Sequence, residues 1–188
     1  MPEVACQRTI PVSEQEIWDY VKDMDNWAQF IMGHQAHELL DDKHSVWTVK
    51  GELGVLARTV VFEVDITEWI EPSRVRFTIT GKTEQFDGEG SFLIGGQPDL
   101  AGLPPKRRGW FRRLFARLSR RSRGDERAPA PESGTSFACW LRMDARGMTG
   151  PVVNAMIEPL MSRAADDLAE RLRGAILARA GEAESAAS

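Results

Sequence analysis

The chain has 188 residues, 42% of them hydrophobic, and a formal net charge of −4 at pH 7. This length fits one domain that buries its own core, with residues to spare for an insertion and a tail. No run of about 18 apolar residues predicts a membrane span, and no basic, apolar leader predicts secretion, so the cytoplasm is the expected compartment.

The first predicted elements are a strand and two short helices. Residues 4–10 alternate well enough to predict a strand, which Pro11 ends. Ser13 and Glu16 have the spacing of a capping box, in which each side chain binds the backbone amide of the other residue, so a helix is predicted to begin here. A second short helix is predicted at residues 27–31, and Gly33 ends it.

From about residue 36 onward, apolar and polar residues alternate with a period of two. Together with the first strand, these segments predict a seven-stranded antiparallel sheet that is apolar on its inner face and polar on its outer face. The outer face would carry the solvated carboxylates Glu63, Asp65, Asp87 and Glu89. The strands after the first begin near residue 36 and continue at 45–50, 58–69, 75–80, 86–92 and 135–143.

A long final helix is predicted from Pro151, because proline suits the first helical position. Its apolar stripe includes Leu168 and Leu172, and Pro159 is expected to kink it. The fold class is therefore α+β in a single domain of residues 1–180. Residues 181–188 are small and polar and are predicted to form a disordered tail.

Residues 96–133 interrupt the strand pattern and predict a basic insertion within a hairpin. Residues 104–127 alone hold ten of the 24 Lys and Arg residues. Residues 109–123 predict a short helix with aromatic and leucine side chains on one face and arginines on the other, which suits an anionic membrane surface. The candidate membrane-binding residues are Trp110, Phe111, Arg112, Arg113, Leu114, Phe115, Arg117, Leu118, Arg120 and Arg121.

This basic helix has other interpretations. Its aromatic residues could stack on RNA bases while the arginines bind phosphates, it could enter an acidic groove of a protein partner, or it could dock on its own domain. Leu114 and Leu118 lie beside the aromatic residues and suit acyl chains better than base stacking. We therefore favour peripheral contact with the inner face of the cell membrane over nucleic acid.

The order of elements resembles the helix-grip superfamily of START domains, pollen-allergen-like proteins and polyketide cyclases. The passage from strand to helix at residues 10–18 looks like the opening of that fold. Residues 41–62 and the segment Gly88-Glu89-Gly90-Ser91-Phe92 resemble the G-type accessory proteins of carbon monoxide dehydrogenase. The resemblance implies a curved seven-stranded sheet wrapped around a long C-terminal helix, with two short helices after the first strand.

The same resemblance implies a function. It implies a cavity that holds a lipid or quinone-like molecule without chemical turnover and without a cofactor, and an association with a respiratory redox enzyme. This chain departs from the subgroup in one respect. A membrane-attachment element would be expected near the C-terminus, whereas here the basic helix interrupts a hairpin.

The candidate cavity residues are mostly aromatic side chains on the predicted inner face. Two glycines on that face, Gly88 and Gly90, remove bulk where a core needs volume. A solid core, or a bend in the strand, would use the same residues. The candidate ligand-binding residues are Trp27, Phe30, Trp47, Phe62, Phe77, Phe86, Gly88, Gly90, Phe92, Met156 and Leu160.

Other reactive residue types predict little chemistry. His34, His37 and His44 are interpreted as solvated polar residues rather than metal ligands, because their spacing unites them on no helical face. Cys6 and Cys139 fall in the first and last strands, which would be neighbours, and we expect them to be buried free thiols.

Two alternative functions remain open. A polyketide cyclase or dehydratase would need polar groups facing the cavity, for which Arg8 and Arg142 are the candidates. An assembly factor for a molybdenum hydroxylase or carbon monoxide dehydrogenase would dock through the basic helix.

Overall fold

The computed structural model describes residues 1–53, 56–95, 134–148 and 150–186. Within these residues the chain forms seven strands, two α-helices and two 3₁₀ helices, η1 and η2. In chain order they are β1 (Glu3–Ile10), α1 (Glu14–Val21), η1 (Met24–Asn26), η2 (Ala28–Phe30), β2 (His34–Leu39), β3 (His44–Leu53), β4 (Leu56–Ile70), β5 (Arg74–Gly81), β6 (Phe86–Ile94), β7 (Thr135–Ala145) and α2 (Gly150–Ala186).

All seven strands form one antiparallel sheet in the order β1-β7-β6-β5-β4-β3-β2. Consecutive strands are neighbours from β2 to β7, and β1 closes the order by pairing with β7. The alternation of apolar and polar residues in the sequence predicts this pairing, because each strand then turns one apolar face inward. The predicted α+β helix-grip fold is confirmed.

The predicted capping box begins α1. Ser13 Oγ accepts a hydrogen bond from the amide of Glu16 at 3.2 Å, and the Glu16 carboxylate accepts one from the amide of Ser13 at 2.8 Å. The helix then buries Ile17, Trp18 and Val21. Local capping and core packing therefore both favour a helix at this position.

The closely packed core lies at the end of the sheet where β1 stops and β7 begins. Ile10, Trp18 and Phe137 are at most 1% exposed there, and Leu172 and Ile176 of α2 pack against them. Such burial of large apolar side chains supplies the main driving force for folding.

Helix α2 lies toward one side of the sheet, with its main sheet contacts on β1 and β7. Arg8 of β1 joins it through ion pairs to Asp166 at 3.1 Å and Glu170 at 2.5 Å. Burial is uneven along the helix, since Val152 is 63% exposed while Leu172 is 1% exposed. None of the described helices is long and apolar enough to cross a bilayer.

Several predicted boundaries differ from the structure. The predicted helix at residues 27–31 is instead part of a pair of 3₁₀ helices on either side of Trp27. The predicted disordered tail from Gly181 is wrong as far as Ala186, because α2 continues to that residue. Alanine and glutamate are strong helix formers and extend the helix beyond Gly181. The predicted insertion 96–133, with its helix at 109–123, lies outside the described residues.

The two cysteines are neighbours, as predicted, but they are not free thiols. Cys6 of β1 lies directly opposite Cys139 of β7 in the register, and their sulfurs form a disulfide. The Cα atoms are 5.3 Å apart, within the range that a disulfide spans without backbone movement.

Candidate functional site

The strand register gathers apolar side chains on the concave face of the sheet. Across β3, β4 and β5, Trp47 lies opposite Phe62, and Phe62 lies opposite Gly81. In the next rows Val64 pairs with Ile79, and Phe77 pairs with Gly90. We call the concave face of β3–β6 the concave groove; it is lined by Trp47, Phe62, Val64, Phe77, Ile79, Phe86 and Phe92.

The groove is less tightly covered than the core beside it. Phe62, Phe77 and Phe86 are half-buried, whereas Phe137 is 1% exposed. The difference follows from the position of α2, which packs mainly on β1 and β7 and not over the middle strands. Aromatic rings therefore remain accessible on a concave surface, as in many small-molecule sites.

Trp27, between η1 and η2, leans over the groove. Its indole stacks on Trp47 with ring centroids 5.8 Å apart and meets the ring of Phe92 edge-on at 5.6 Å. Its Nε1 donates to the carbonyl of Val21 at 2.9 Å, which satisfies the one polar atom of a buried side chain. Trp27 thus links the short helices to strands on both sides of the groove.

The two glycines of β6 do not leave bare space. A Cβ atom built on Gly90 would lie 2.3 Å from Cζ of Phe77, so the Phe77 ring occupies the room that Gly90 provides. A Cβ atom on Gly88 would lie 2.9 Å from the carbonyl oxygen of Arg142. The glycines therefore permit close packing within the sheet.

The structure brings most of the predicted cavity residues together. Ring contacts link Trp27, Trp47 and Phe92, then Phe77, and separately Phe62 and Phe86. Phe30 is half-buried against the core. On α2, Met156 is 44% exposed and Leu160 is half-buried.

A hydrogen-bonded chain of side chains borders the groove at β2. Nε2 of His34 lies 3.1 Å from Nδ1 of His37, and Nε2 of His37 lies 2.8 Å from a carboxylate oxygen of Asp25. Both imidazoles are half-buried, and the His37 ring stacks on Trp47 with centroids 4.8 Å apart. The sequence interpretation of His34 and His37 as solvated side chains is therefore wrong.

Two backbone features place both imidazoles on the concave side. The register shifts between His34 and Ala36, so that His34 lies opposite Val49 and His37 opposite Trp47. Without this bulge, residues three apart on a strand would point to opposite faces. Just before the strand, Gly33 has a φ of 78°, and a Cβ there would lie 2.1 Å from the carbonyl oxygen of Lys50.

The chain has a defined proton order when both rings are neutral. A carboxylate only accepts hydrogen bonds, so His37 Nε2 carries a hydrogen toward Asp25 and His37 Nδ1 accepts from His34 Nε2. Burial, and to a lesser degree the nearby His37, lowers the pKa of His34, which favours the neutral ring. No group of three possible metal ligands converges in the part of the chain that the structure describes.

A second concavity lies at the other end of the same face. It is an open cleft of about 820 Å³ between the end of α1, the β2–β3 turn and β4. Its apolar floor includes Ile66 and Trp69, and its rim is charged. The lining residues are Lys22, Asp23, Met24, Leu39, Asp41, Asp42, Lys43, Ile66 and Trp69.

The arginines suggested for an enzymatic alternative have other partners. Arg8 is on the inner side but is held by the two α2 carboxylates described above. Arg142 lies on the outer face and pairs with Glu89 at 3.1 Å. The polar groups that border the groove are instead the two histidines.

Comparisons with known proteins follow this geometry. A family model with the description "Polyketide cyclase / dehydrase and lipid transport" matches residues 10–173. No curated protein matches the chain significantly.

Solved structures share the fold at low identity. A Thermus thermophilus protein has a TM-score of 0.58 and 16% identity, with 95% of this chain and 99% of that chain covered. A Deinococcus radiodurans protein has a TM-score of 0.55 and 18% identity, with 95% and 99% covered. The Zhui aromatase/cyclase of Streptomyces sp. R1128 has a TM-score of 0.55 and 11% identity, with 95% and 94% covered.

Proposed function

The chain belongs to the polyketide cyclase/dehydrase and lipid transport family, and from this premise we propose that it binds an apolar small molecule in the concave groove. The single observation that carries the proposal is the set of half-buried aromatic rings on that face. A packed core would bury rings of this size fully. The family description, which includes lipid transport, favours a lipophilic ligand.

The energetics set a lower limit on the size of the ligand. Removing about 400 Å² of combined apolar surface from water yields about 10 kcal/mol. Association costs at least about 4 kcal/mol of this in lost translational and rotational freedom. Micromolar affinity requires about 8 kcal/mol of net binding free energy, so the ligand needs more apolar surface than a single ring, as a prenyl chain or a fused-ring compound has.

Filling the groove should weaken binding of an apolar probe, 2-methoxynaphthalene. Val64 lies on the concave face of β4, and Val61 lies on the opposite face of the same strand. Val64→Trp should therefore raise the Kd at least about tenfold, which corresponds to about 1.4 kcal/mol, while Val61→Trp should leave it unchanged. A fluorescence titration measures the Kd, and circular dichroism checks that both variants are folded.

Equal binding of the probe by wild type, Val64→Trp and Val61→Trp would contradict the groove as the site. Native mass spectrometry of the purified protein adds a second observation. A co-purifying molecule would identify the natural ligand class directly.

The proposal extends to the membrane through residues 109–123. The sequence of this segment supports peripheral contact, since each basic residue near an anionic surface contributes about 1 kcal/mol. A variant with Trp110, Phe111, Leu114 and Phe115 all replaced by alanine should co-sediment much less with vesicles of anionic phospholipid than wild type does. Equal co-sedimentation of the two proteins would contradict membrane contact.

Finer features of the ligand and partner rest on the subgroup resemblance. The likeness to the G-type accessory proteins of carbon monoxide dehydrogenase favours a quinone-like ligand and a respiratory redox enzyme as partner. A second candidate function, turnover of the bound molecule, is favoured by the Asp25–His37–His34 chain beside the groove. A co-purified ligand that changes mass during incubation with the protein would support turnover over simple binding.

A further inference from the structure

The concave groove has few polar groups that a ligand can reach. Ser45 lies on this face but is 0% exposed, and its hydroxyl oxygen accepts from Trp47 Nε1 at 2.9 Å. Arg8 is engaged by Asp166 and Glu170. His34 differs from both, because its ring is half-buried and its Nδ1 has no hydrogen-bond partner among the described residues.

The neighbouring side chains determine what His34 can bind. Asp25 fixes a hydrogen on His37 Nε2, so His37 Nδ1 accepts the hydrogen of His34 Nε2. The free Nδ1 of His34 then presents a lone pair and accepts a hydrogen bond. Desolvation keeps the ring in this neutral form, as the lowered pKa of His34 indicates.

The position of His34 suits one end of a ligand in the groove. Its ring centroid lies 5.7 Å from that of Trp47, and His37 lies opposite Trp47, which in turn lies opposite Phe62. Neighbouring strands are about 4.8 Å apart, so Phe62 on β4 lies about 10 Å across the sheet from β2. A fused aromatic ring system over Phe62 and Trp47 spans this distance and brings a terminal substituent to β2.

We propose that His34 forms the polar end of the groove and accepts a hydrogen bond from the terminal hydroxyl group of an otherwise apolar ligand, a phenol or an alcohol. This inference rests on the proposed function of the groove. A lone-pair acceptor selects a group that carries a hydrogen, and it disfavours a carboxylate, whose oxygens also present lone pairs. The charge of Asp25 on the same chain adds to that preference. Asp25 and His37 act as positioning residues.

A matched pair of probes tests this selection. 2-Naphthol and 2-methoxynaphthalene share a ring system, but only the naphthol donates a hydrogen bond. Wild type should bind the naphthol roughly tenfold more tightly, as expected for one hydrogen bond in a partly desolvated site. His34→Phe should bind both probes alike, because the phenyl ring keeps the apolar contact and removes the acceptor.

Two further variants sharpen the test. Asp25→Asn alters a largely exposed side chain and removes the carboxylate that fixes the proton order, so it should reduce the ratio of the two affinities. His44→Phe changes an exposed histidine whose partners are Asp41 and Asp65, and it should leave the ratio at the wild-type value. A purely structural role of Asp25 would change both affinities together and leave their ratio intact.

Each outcome has one meaning. Equal affinity of wild type for the two probes overturns the hydroxyl selection and leaves the groove as an apolar site, whereas failure of wild type to bind either probe overturns the proposed function. A naphthol preference that survives in folded His34→Phe overturns the assignment to His34. If His34→Phe fails to fold, Asp25→Asn decides: an unchanged ratio overturns the proposal, and a reduced ratio supports it.

Discussion

Replacement of Trp18 by alanine is expected to lower the free energy of unfolding by about 3–5 kcal/mol. The indole is 0% exposed, and it meets the ring of Trp69 edge-on with centroids 5.0 Å apart. It also connects α1 to the core, in which Leu172 and Ile176 of α2 take part. Alanine would leave a cavity that the surrounding elements fill only in part. Urea unfolding followed by far-ultraviolet circular dichroism measures the loss.

Trp18→Phe is the matched control for this prediction. Phenylalanine keeps an aromatic ring and removes the indole N–H, which has no acceptor within the described residues. Its cost should therefore be smaller, about 1–2 kcal/mol. Equal stability of wild type and Trp18→Ala would show that this end of the sheet is not the closely packed core of the domain.

Loss of the disulfide is expected to cost about 2–4 kcal/mol of stability. The bond joins residues 133 positions apart, so it restricts the unfolded chain strongly. The double variant Cys6→Ser/Cys139→Ser should therefore melt at a lower temperature than wild type. Reduction of wild type with dithiothreitol should produce a similar decrease.

Dithiothreitol added to the double variant is the control, and it should change nothing. A wild-type melting temperature that does not respond to the reductant would contradict the bond. Disulfides persist mainly in oxidising compartments. Thiol counting on freshly prepared protein with blocked thiols therefore also tests the expected cytoplasmic location.

The sheet could be predicted from the sequence because its signal is local. Phe62, Val64 and Ile66 alternate with charged residues, and this pattern directly reports which face is buried. The alternation fails at Trp69, since a register shift between Ile66 and Glu68 turns Trp69 to the inner face. Strand bulges leave little trace in a single sequence, so the faces of residues beyond them were not predictable.

The candidate site shows the same limit. The aromatic residues of the groove follow from strand alternation, and they were predicted. His34 and His37 share a face only because of the bulge between His34 and Ala36, and Asp25 reaches them from a different element. The close spacing of the two histidines was the only available signal. Gly90 illustrates a further limit, because the sequence cannot tell that the Phe77 ring fills the space beside it.

The uneven burial of α2 has a consequence for exchange of material with the groove. The C-terminal half of the helix is fixed by Leu172, Ile176 and the ion pairs to Arg8, whereas Val152 and Met156 near its start are largely exposed. Segments with few buried contacts open at a lower free-energy cost than the whole domain. The first turns of α2 can therefore fluctuate while the core stays folded, and a guest molecule can enter or leave without global unfolding.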